Sequence, residues 1–158
     1  MTETRFDMFS SDFMTSFIRR FQGASMVAEG STLPKQVQEL VKIRASQING
    51  CGMCTDMHVK DALAAGEDQT RLFLVAAWRD ATVFTEAERA ALALAEEGTR
   101  LADASTGIGD DTWQAVRKHY DEEQVAALIA IIAVINAWNR LNVIAGTPAG
   151  GYQAGMFG

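Results

Sequence analysis

Residues 39–58, with the sequence ELVKIRASQINGCGMCTDMH, contain both cysteines of the chain, Cys51 and Cys54, and end at His58. The first part of this stretch has the pattern of a helix, Asn49-Gly50 interrupts it, and we expect a second helix to begin at Cys51. On that helix the two cysteines share a face, and His58 lies one turn further along it. The stretch therefore predicts two thiols and a base on one helical stripe, which is the outline of a redox site.

The place of Cys51 at a helix start bears on its acidity. Unpaired N–H groups and the helix dipole stabilise a thiolate there, and thiols of C-x-x-C motifs have pKa values of roughly 3.5–7.5 instead of about 8.5. We therefore expect Cys51 to be the more acidic sulfur. His58, four residues after Cys54, is within reach of the second sulfur as a proton acceptor or donor.

Length and composition indicate a single domain. The chain has 158 residues, and its 48% hydrophobic content is enough for one core. A net charge of −6 without a Lys/Arg-rich block argues against nucleic acid and anionic membranes as partners. The N-terminal residues do not have the pattern of a secretory signal, so we expect a cytoplasmic protein, in which a C-x-x-C is more often metal-binding or redox-active than structural.

Few prolines, abundant alanine and no sustained two-residue alternation predict an all-α protein. The longest apolar stretch, Val125–Ile135, has eleven residues, too few for a bilayer, so we expect a buried helix. We expect an N-terminal helical extension (1–33), a core (34–146) and a Gly-rich tail (147–158) that is loose or reaches a partner subunit. The predicted helices are Ser11–Gly23, Pro34–Asn49, Met53–Ala65, Asp68–Ala76, Thr85–Leu101, Asp110–Tyr120 and Asp121–Leu141, with a loop at 105–109.

Two other interpretations of the cysteines stay open. Buried cysteines also occur as small hydrophobic residues. Cys51, Cys54 and His58 are also three potential zinc ligands, with His119 as a fourth, although the second thiol pair or the paired histidines of common zinc modules are absent.

The ionisable residues near the motif have simpler interpretations when position alone is considered. Glu39 has Lys42 at i+3 and Lys35 at i−4, so we expect a solvated carboxylate with ordinary ion pairs. His119 stands among charged neighbours, so we expect it on a solvated surface near a helix end.

The motif residues carry a resemblance to a known family. The segments ELVKIR (39–44), SQINGCGMC (46–54), DMH (56–58) and KDA (60–62) resemble the alkylhydroperoxidase D (AhpD)-like branch of the carboxymuconolactone decarboxylase family. The spacing Glu-x11-Cys-x2-Cys-x3-His matches that branch. INAWNR at 135–140 is similar to the last core helix of the family, so the similarity extends over roughly 34–146.

The resemblance implies an all-α fold that assembles as trimers or hexamers, and a cysteine-based peroxidase without haem or another cofactor. It implies that Cys54 attacks the hydroperoxide O–O bond to give a sulfenic acid, with Cys51 as proton donor and resolving thiol. Glu39 and His58 would form a proton relay, which replaces the solvated role expected for Glu39. Met53 stands where the best-studied members have a histidine. A thioredoxin-like or lipoyl-bearing protein is implied as the reductant.

Three alternative functions accompany this hypothesis. The first is a decarboxylase or lactone enzyme of the same family, whose chemistry needs no C-x-x-C. The second is a non-enzymatic metal-binding or redox-sensing oligomer that uses Cys51, Cys54 and His58. The third is a structural helical oligomer in which the cysteines are only packed.

Overall fold

The computed structural model describes residues 4–103 and 107–157, and within them the chain forms helices and no strand. The prediction of an all-α fold is therefore confirmed. The predicted loop at 105–109 lies partly outside the described residues. The helices are α1 (Asp12–Glu29), α2 (Lys35–Ile48), α3 (Gly52–Ala64), α4 (Gln69–Leu74), α5 (Glu86–Thr99), α6 (Asp110–His119) and α7 (Glu122–Ala145), with a 3-10 turn at Val75–Ala77 after α4.

Side chains at helix starts bind backbone N–H groups that have no partner within the helix. Thr85 and Glu88 form the predicted capping box at the start of α5. Asp121 caps α7, as predicted, and Gln124 completes a second capping box there. These local bonds fix where α5 and α7 begin.

Two helices are longer than predicted. α1 continues past Gly23 to Glu29, and α7 continues past Leu141 to Ala145. A glycine inside a helix costs only about 1 kcal/mol, and α1 packs on α7 and buries Ser25 and Ala28 beyond that glycine. Tertiary contacts therefore override the local signal for a helix end.

The core forms where α2 and α7 meet the other helices. α2 contacts α3, α5 and α7, and α7 also contacts α1, α3 and α5. The two larger clusters of buried side chains lie around α2, α5 and α7 and around α2, α4 and α5. A third, smaller cluster joins Ala45, Cys51, Cys54 and Ile135, so the cysteines lie where α2, the start of α3 and α7 converge.

α7 is long and apolar. By length and composition it is able to cross a membrane, a property that the core helices of many water-soluble proteins share. Contacts with α1, α2, α3 and α5 bury Leu128, Ile131 and Ile135, as expected for the stretch Val125–Ile135, but the helix has 24 residues and is longer than that stretch.

The C-terminal segment is docked on α3. Asp56 accepts the backbone N–H groups of Gly150 and Tyr152 at 2.8 and 3.3 Å. The Tyr152 hydroxyl donates to Asp61 at 2.9 Å, and Lys60 donates to the Tyr152 carbonyl at 2.8 Å. The expectation of a loose tail is wrong for this segment, because two carboxylates of α3 hold it. Its contact with a partner subunit stays a prediction.

Replacing Gly146 with alanine is expected to destabilise the protein by about 1–2 kcal/mol. Its φ is +68°, and an added Cβ would lie 3.3 Å from the backbone nitrogen of Arg5. Gly50→Ala is the matched control, since Gly50 has a φ of +65° and nothing within 4 Å of an added Cβ. Urea unfolding should show the larger loss for Gly146→Ala. Equal losses in the two variants would contradict a role for the contact with Arg5.

Candidate active site

The turn between α2 and α3 positions the cysteines. Asn49 ends α2, and Gly50 then takes the left-handed conformation with a φ of +65°. The backbone N–H of Cys51 donates to the Ser46 carbonyl at 2.9 Å. Cys51 is the N-cap residue of α3, and its sulfur accepts the backbone N–H of Cys54 at 3.3 Å. The predicted helix start at Cys51 is therefore confirmed.

The two cysteines form a buried pair of free thiols. Cys51 and Cys54 are 2% and 1% exposed, and their Sγ atoms lie 2.6 Å apart. A disulfide bond has an S–S length of about 2.05 Å. The two sulfurs are therefore close enough to form a disulfide when an oxidant removes two electrons and the remaining protons.

The two sulfurs differ in acidity. The thiol of Cys54 donates a hydrogen bond to the sulfur of Cys51. This bond outweighs the effect of burial and lowers the pKa of Cys51 to about 7. The pKa of Cys54 is raised well above its usual range, because its proton is held by Cys51, because the sulfur is buried and because a thiolate lies beside it. This agrees with the expectation that Cys51 is the more acidic sulfur. Above about pH 7 the pair therefore holds one proton between its two sulfurs.

Glu39 and His58 form a second pair, one helix turn from the thiols. His58 Nδ1 lies 2.8 Å from Glu39 Oε2, and both side chains are largely buried. Burial raises the pKa of Glu39, but the hydrogen bond and charge of His58 and the charge of Lys42 outweigh it and hold the pKa at about 2. Glu39 is therefore an ionised, mostly buried carboxylate, and the expectation of a solvated one is wrong.

Lys42 connects this pair to α1. Its Nζ lies 3.0 Å from Glu39 Oε1 and 2.6 Å from Glu29 Oε1, and its side chain is 8% exposed. Burial lowers the pKa of Lys42, but the two carboxylates outweigh burial and raise it. The ion pair of Glu39 with Lys42 was predicted from the helix spacing, whereas Lys35 donates to the Glu29 carbonyl instead.

The thiol pair and His58 are neighbours along α3, and no direct bond joins them. In the part of the chain that the structure describes, no hydrogen bond joins His58 to either sulfur. Across the same residues, no three His, Cys, Asp or Glu side chains are arranged to hold a metal ion, so the zinc interpretation gains no support. His119 is exposed at the end of α6, as expected.

The sequence reasoning named Asn136 and Asn139 only as neighbours of Trp138 that could line a pocket, and it missed Asn142. Asn49 donates its amide to both Asn136 and Asn139 at 2.9 Å, and Asn139 donates to the Ser46 hydroxyl at 3.0 Å. Asn142 donates to the sulfur of Cys54 at 3.5 Å. Asparagines at 136, 139 and 142 recur every third residue on one face of an apolar helix, and this spacing is the signal that would have found them.

Two clefts reach the site. The first, which we name the Cys51 cleft, has a volume of about 180 Å³ and is lined by Cys51, Asn142 and Thr147 together with glycines of the adjoining turns. The second, also about 180 Å³, lies between α2, α3 and α4 and is lined by Glu39 and by apolar residues such as Leu72. Cys51 and Glu39 thus line separate openings, and Cys54 and His58 line neither of them.

Comparison with known proteins finds relatives that are similar in sequence and in fold. The uncharacterized protein YdfG of Bacillus subtilis is 41% identical over 119 residues, which cover 75% of this chain and 80% of YdfG. A crystal structure from Agrobacterium tumefaciens, of a protein of unknown function provisionally described as the antioxidant defence protein AhpD, has a TM-score of 0.85 and 30% identity and covers 95% of this chain and 100% of its own. A debrominase shares the fold, with a TM-score of 0.75 and 21% identity over 87% of this chain and 73% of its own.

The model of the carboxymuconolactone decarboxylase family matches residues 14–97, which include α1 as well as the thiol motif. The extent of this match and the 41% identity with YdfG both support assignment of the chain to a family. With its AhpD-like fold, this chain belongs to the carboxymuconolactone decarboxylase family.

Proposed function

We propose that this protein is a cysteine-based peroxidase that reduces organic hydroperoxides by cycling Cys51 and Cys54 between two thiols and a disulfide. The observation that supports this most strongly is the pair of sulfurs 2.6 Å apart, one of which has its pKa lowered to about 7. A thiolate is the nucleophilic form of cysteine, and a nearby second thiol captures a sulfenic acid before further oxidation.

The reaction begins with the proton that the two sulfurs share. Transfer of this proton from Cys54 to Cys51 places the negative charge on Cys54. A lone pair of Cys54 then forms an S–O bond to the terminal oxygen of the hydroperoxide, and the O–O bond breaks. The electron pair of that bond leaves with the alkoxide, which takes the proton of Cys51 to become an alcohol. Cys51 is thus the proton donor of this first step.

The second step closes the disulfide. Cys51, again a thiolate, attacks the sulfur of the Cys54 sulfenic acid, and hydroxide leaves. One proton from the relay of Glu39 and His58 turns that hydroxide into water. Two thiols and one hydroperoxide thereby give a disulfide, an alcohol and water.

The relay is well placed to exchange protons with solvent. Glu39 holds His58 at 2.8 Å on one side and lines the second cleft on the other. An ionised carboxylate that orients an imidazole is a common arrangement in general acid–base catalysis. We propose that the relay restores the protonation state of the thiol pair after each cycle.

The cycle needs partners. A dithiol reductant protein, thioredoxin-like or lipoyl-bearing, would reduce the disulfide, and a cytoplasmic location would supply one. We also propose a homo-oligomer, a trimer or hexamer, because large apolar side chains of α1 and α7 are exposed: Phe13 at 79%, Val27 at 80% and Ile144 at 73%. A second copy of the chain would cover them.

The pH dependence of thiol alkylation tests the acidity of Cys51. Its lowered pKa predicts that the rate of reaction with iodoacetamide rises through about pH 7 instead of about pH 9, because the thiolate is the reacting form. In Cys54→Ala the thiol donor is lost, and the midpoint should rise towards 9. A midpoint that stays near 7 in this variant would assign the low pKa to the helix start alone.

Hydroperoxide consumption with a small dithiol as reductant tests the roles of the four residues. Cys54→Ser should abolish turnover, because no sulfenic acid forms. Glu39→Gln and His58→Phe should stay folded and lower the rate by about a hundredfold, the usual contribution of a proton-transfer group.

Matched controls are available for both relay variants. Glu86 is an exposed carboxylate and His119 is the other histidine, also exposed, so Glu86→Gln and His119→Phe should keep the full rate. Full activity in Glu39→Gln or His58→Phe would remove that residue from the mechanism. Turnover in Cys54→Ser would refute the proposed role of Cys54.

A further inference from the structure

Asn142 reaches the thiol pair from α7. Its side-chain Nδ2 lies 3.5 Å from the sulfur of Cys54 and 3.1 Å from the carbonyl oxygen of Trp138, one turn earlier on the same helix. One amide hydrogen is thus used within α7, and this bond fixes the direction of the other, which points to Cys54. The amide is held as a donor to that sulfur.

The contact falls on the sulfur that is harder to ionise. Cys54 is buried beside the Cys51 thiolate, and both conditions disfavour a negative charge on it. The amide of Asn142 acts in the opposite direction, because an N–H group that donates to a thiolate stabilises it. Removing this donor would make the charge on Cys54 less favourable and leave the donors to Cys51 in place.

Asn142 also lines the Cys51 cleft. The other side chains there are Cys51, Val143 and Thr147, and glycine backbone forms the rest of the wall. A hydroperoxide that enters this cleft therefore meets the sulfur of Cys51 and the amide of Asn142. The sulfur of Cys54 does not line the cleft, but it lies 2.6 Å from the first and 3.5 Å from the second. Asn139 is fully buried, donates to the Ser46 hydroxyl and does not line the cleft, although its amide also lowers the pKa of both sulfurs.

We propose that Asn142 is a catalytic residue of the thiol pair, whose amide N–H holds the negative charge on Cys54 while a hydroperoxide in the Cys51 cleft is attacked. The proposal rests on the proposed peroxidase function and adds a residue to it. The amide donates no proton to a product. It stabilises the Cys54 thiolate that forms when Cys51 takes the shared proton, and the bonds that form and break are those already described.

The test compares Asn142→Leu, which keeps the size of the side chain and removes the donor, with Gln114→Leu. Gln114 is an exposed amide on α6, so its variant controls for the change from amide to leucine. Two quantities are measured on reduced protein without added reductant. The first is the rate at which cumene hydroperoxide consumes the thiols. The second is the share of a limiting amount of iodoacetamide that labels Cys54 instead of Cys51, located by peptide mass spectrometry.

In Asn142→Leu, both the oxidation rate and the Cys54 share of the label should fall about tenfold, as for the loss of a hydrogen bond to a charged group. The alkylation midpoint of Cys51 should stay near pH 7. Gln114→Leu should match the unmodified protein. A rate and a Cys54 share that are unchanged in Asn142→Leu would overturn the proposal.

A second variant separates catalysis from folding. Asn142→Asp keeps the shape of the side chain but has no N–H donor at neutral pH and brings a like charge towards Cys54, so it should be slower than Asn142→Leu. A normal rate in a folded Asn142→Asp protein would overturn the proposal. If the unmodified protein loses no thiols to hydroperoxide, the peroxidase function fails, and the Cys54 share of the label still decides whether Asn142 supports charge on that sulfur.

Discussion

Two sulfurs 2.6 Å apart cannot both be ionised at neutral pH, and the chemistry of this site depends on that constraint. Cys51 carries the charge once the first proton is lost, because its sulfur accepts hydrogen bonds from the thiol and from the backbone N–H of Cys54 at the start of α3. The neighbouring thiol keeps the remaining proton within one bond of the thiolate. Nucleophile and proton donor are thus interconvertible by one short proton transfer.

A chain of alternating acidic and basic side chains lies next to the thiol pair. Glu29, Lys42, Glu39 and His58 follow one another at 2.6, 3.0 and 2.8 Å and join the end of α1 to α2 and α3. Lys42 is the shared partner of Glu29 and Glu39, so it keeps one carboxylate when the other is removed, whereas removal of Lys42 itself would be costly. The same contacts that hold the three helices together keep Glu39 ionised and His58 oriented. Stability and proton transfer therefore depend on the same residues.

The sequence predicted those features of the site that depend on the local chain. Asn49-Gly50 ends α2 through its own backbone preferences, so the helix start and the greater acidity of Cys51 followed from it. Burial of Glu39 was not predicted from position, because spacing along one helix contains no information about which other helices cover it. Only the family resemblance pointed to its pairing with His58.

Other differences between the sequence predictions and the structure also arise from contacts between distant parts of the chain. α1 passes through Gly23 because α7 packs against it, and the C-terminal segment is fixed by carboxylates of α3 that are about ninety residues earlier in the chain. Asn142 was overlooked because its role depends on the approach of α7 to Cys54, although the three-residue spacing of the α7 asparagines is visible in the sequence. Long-range packing, not local preference, decides each of these features.

The central claim is that Cys51 and Cys54 are a redox pair for hydroperoxides. The most direct test counts the free thiols of reduced, metal-free protein before and after one equivalent of cumene hydroperoxide and locates any new bond by mass spectrometry. The account predicts loss of both thiols into a Cys51–Cys54 disulfide that dithiothreitol reverses. Two thiols that survive unchanged would contradict it.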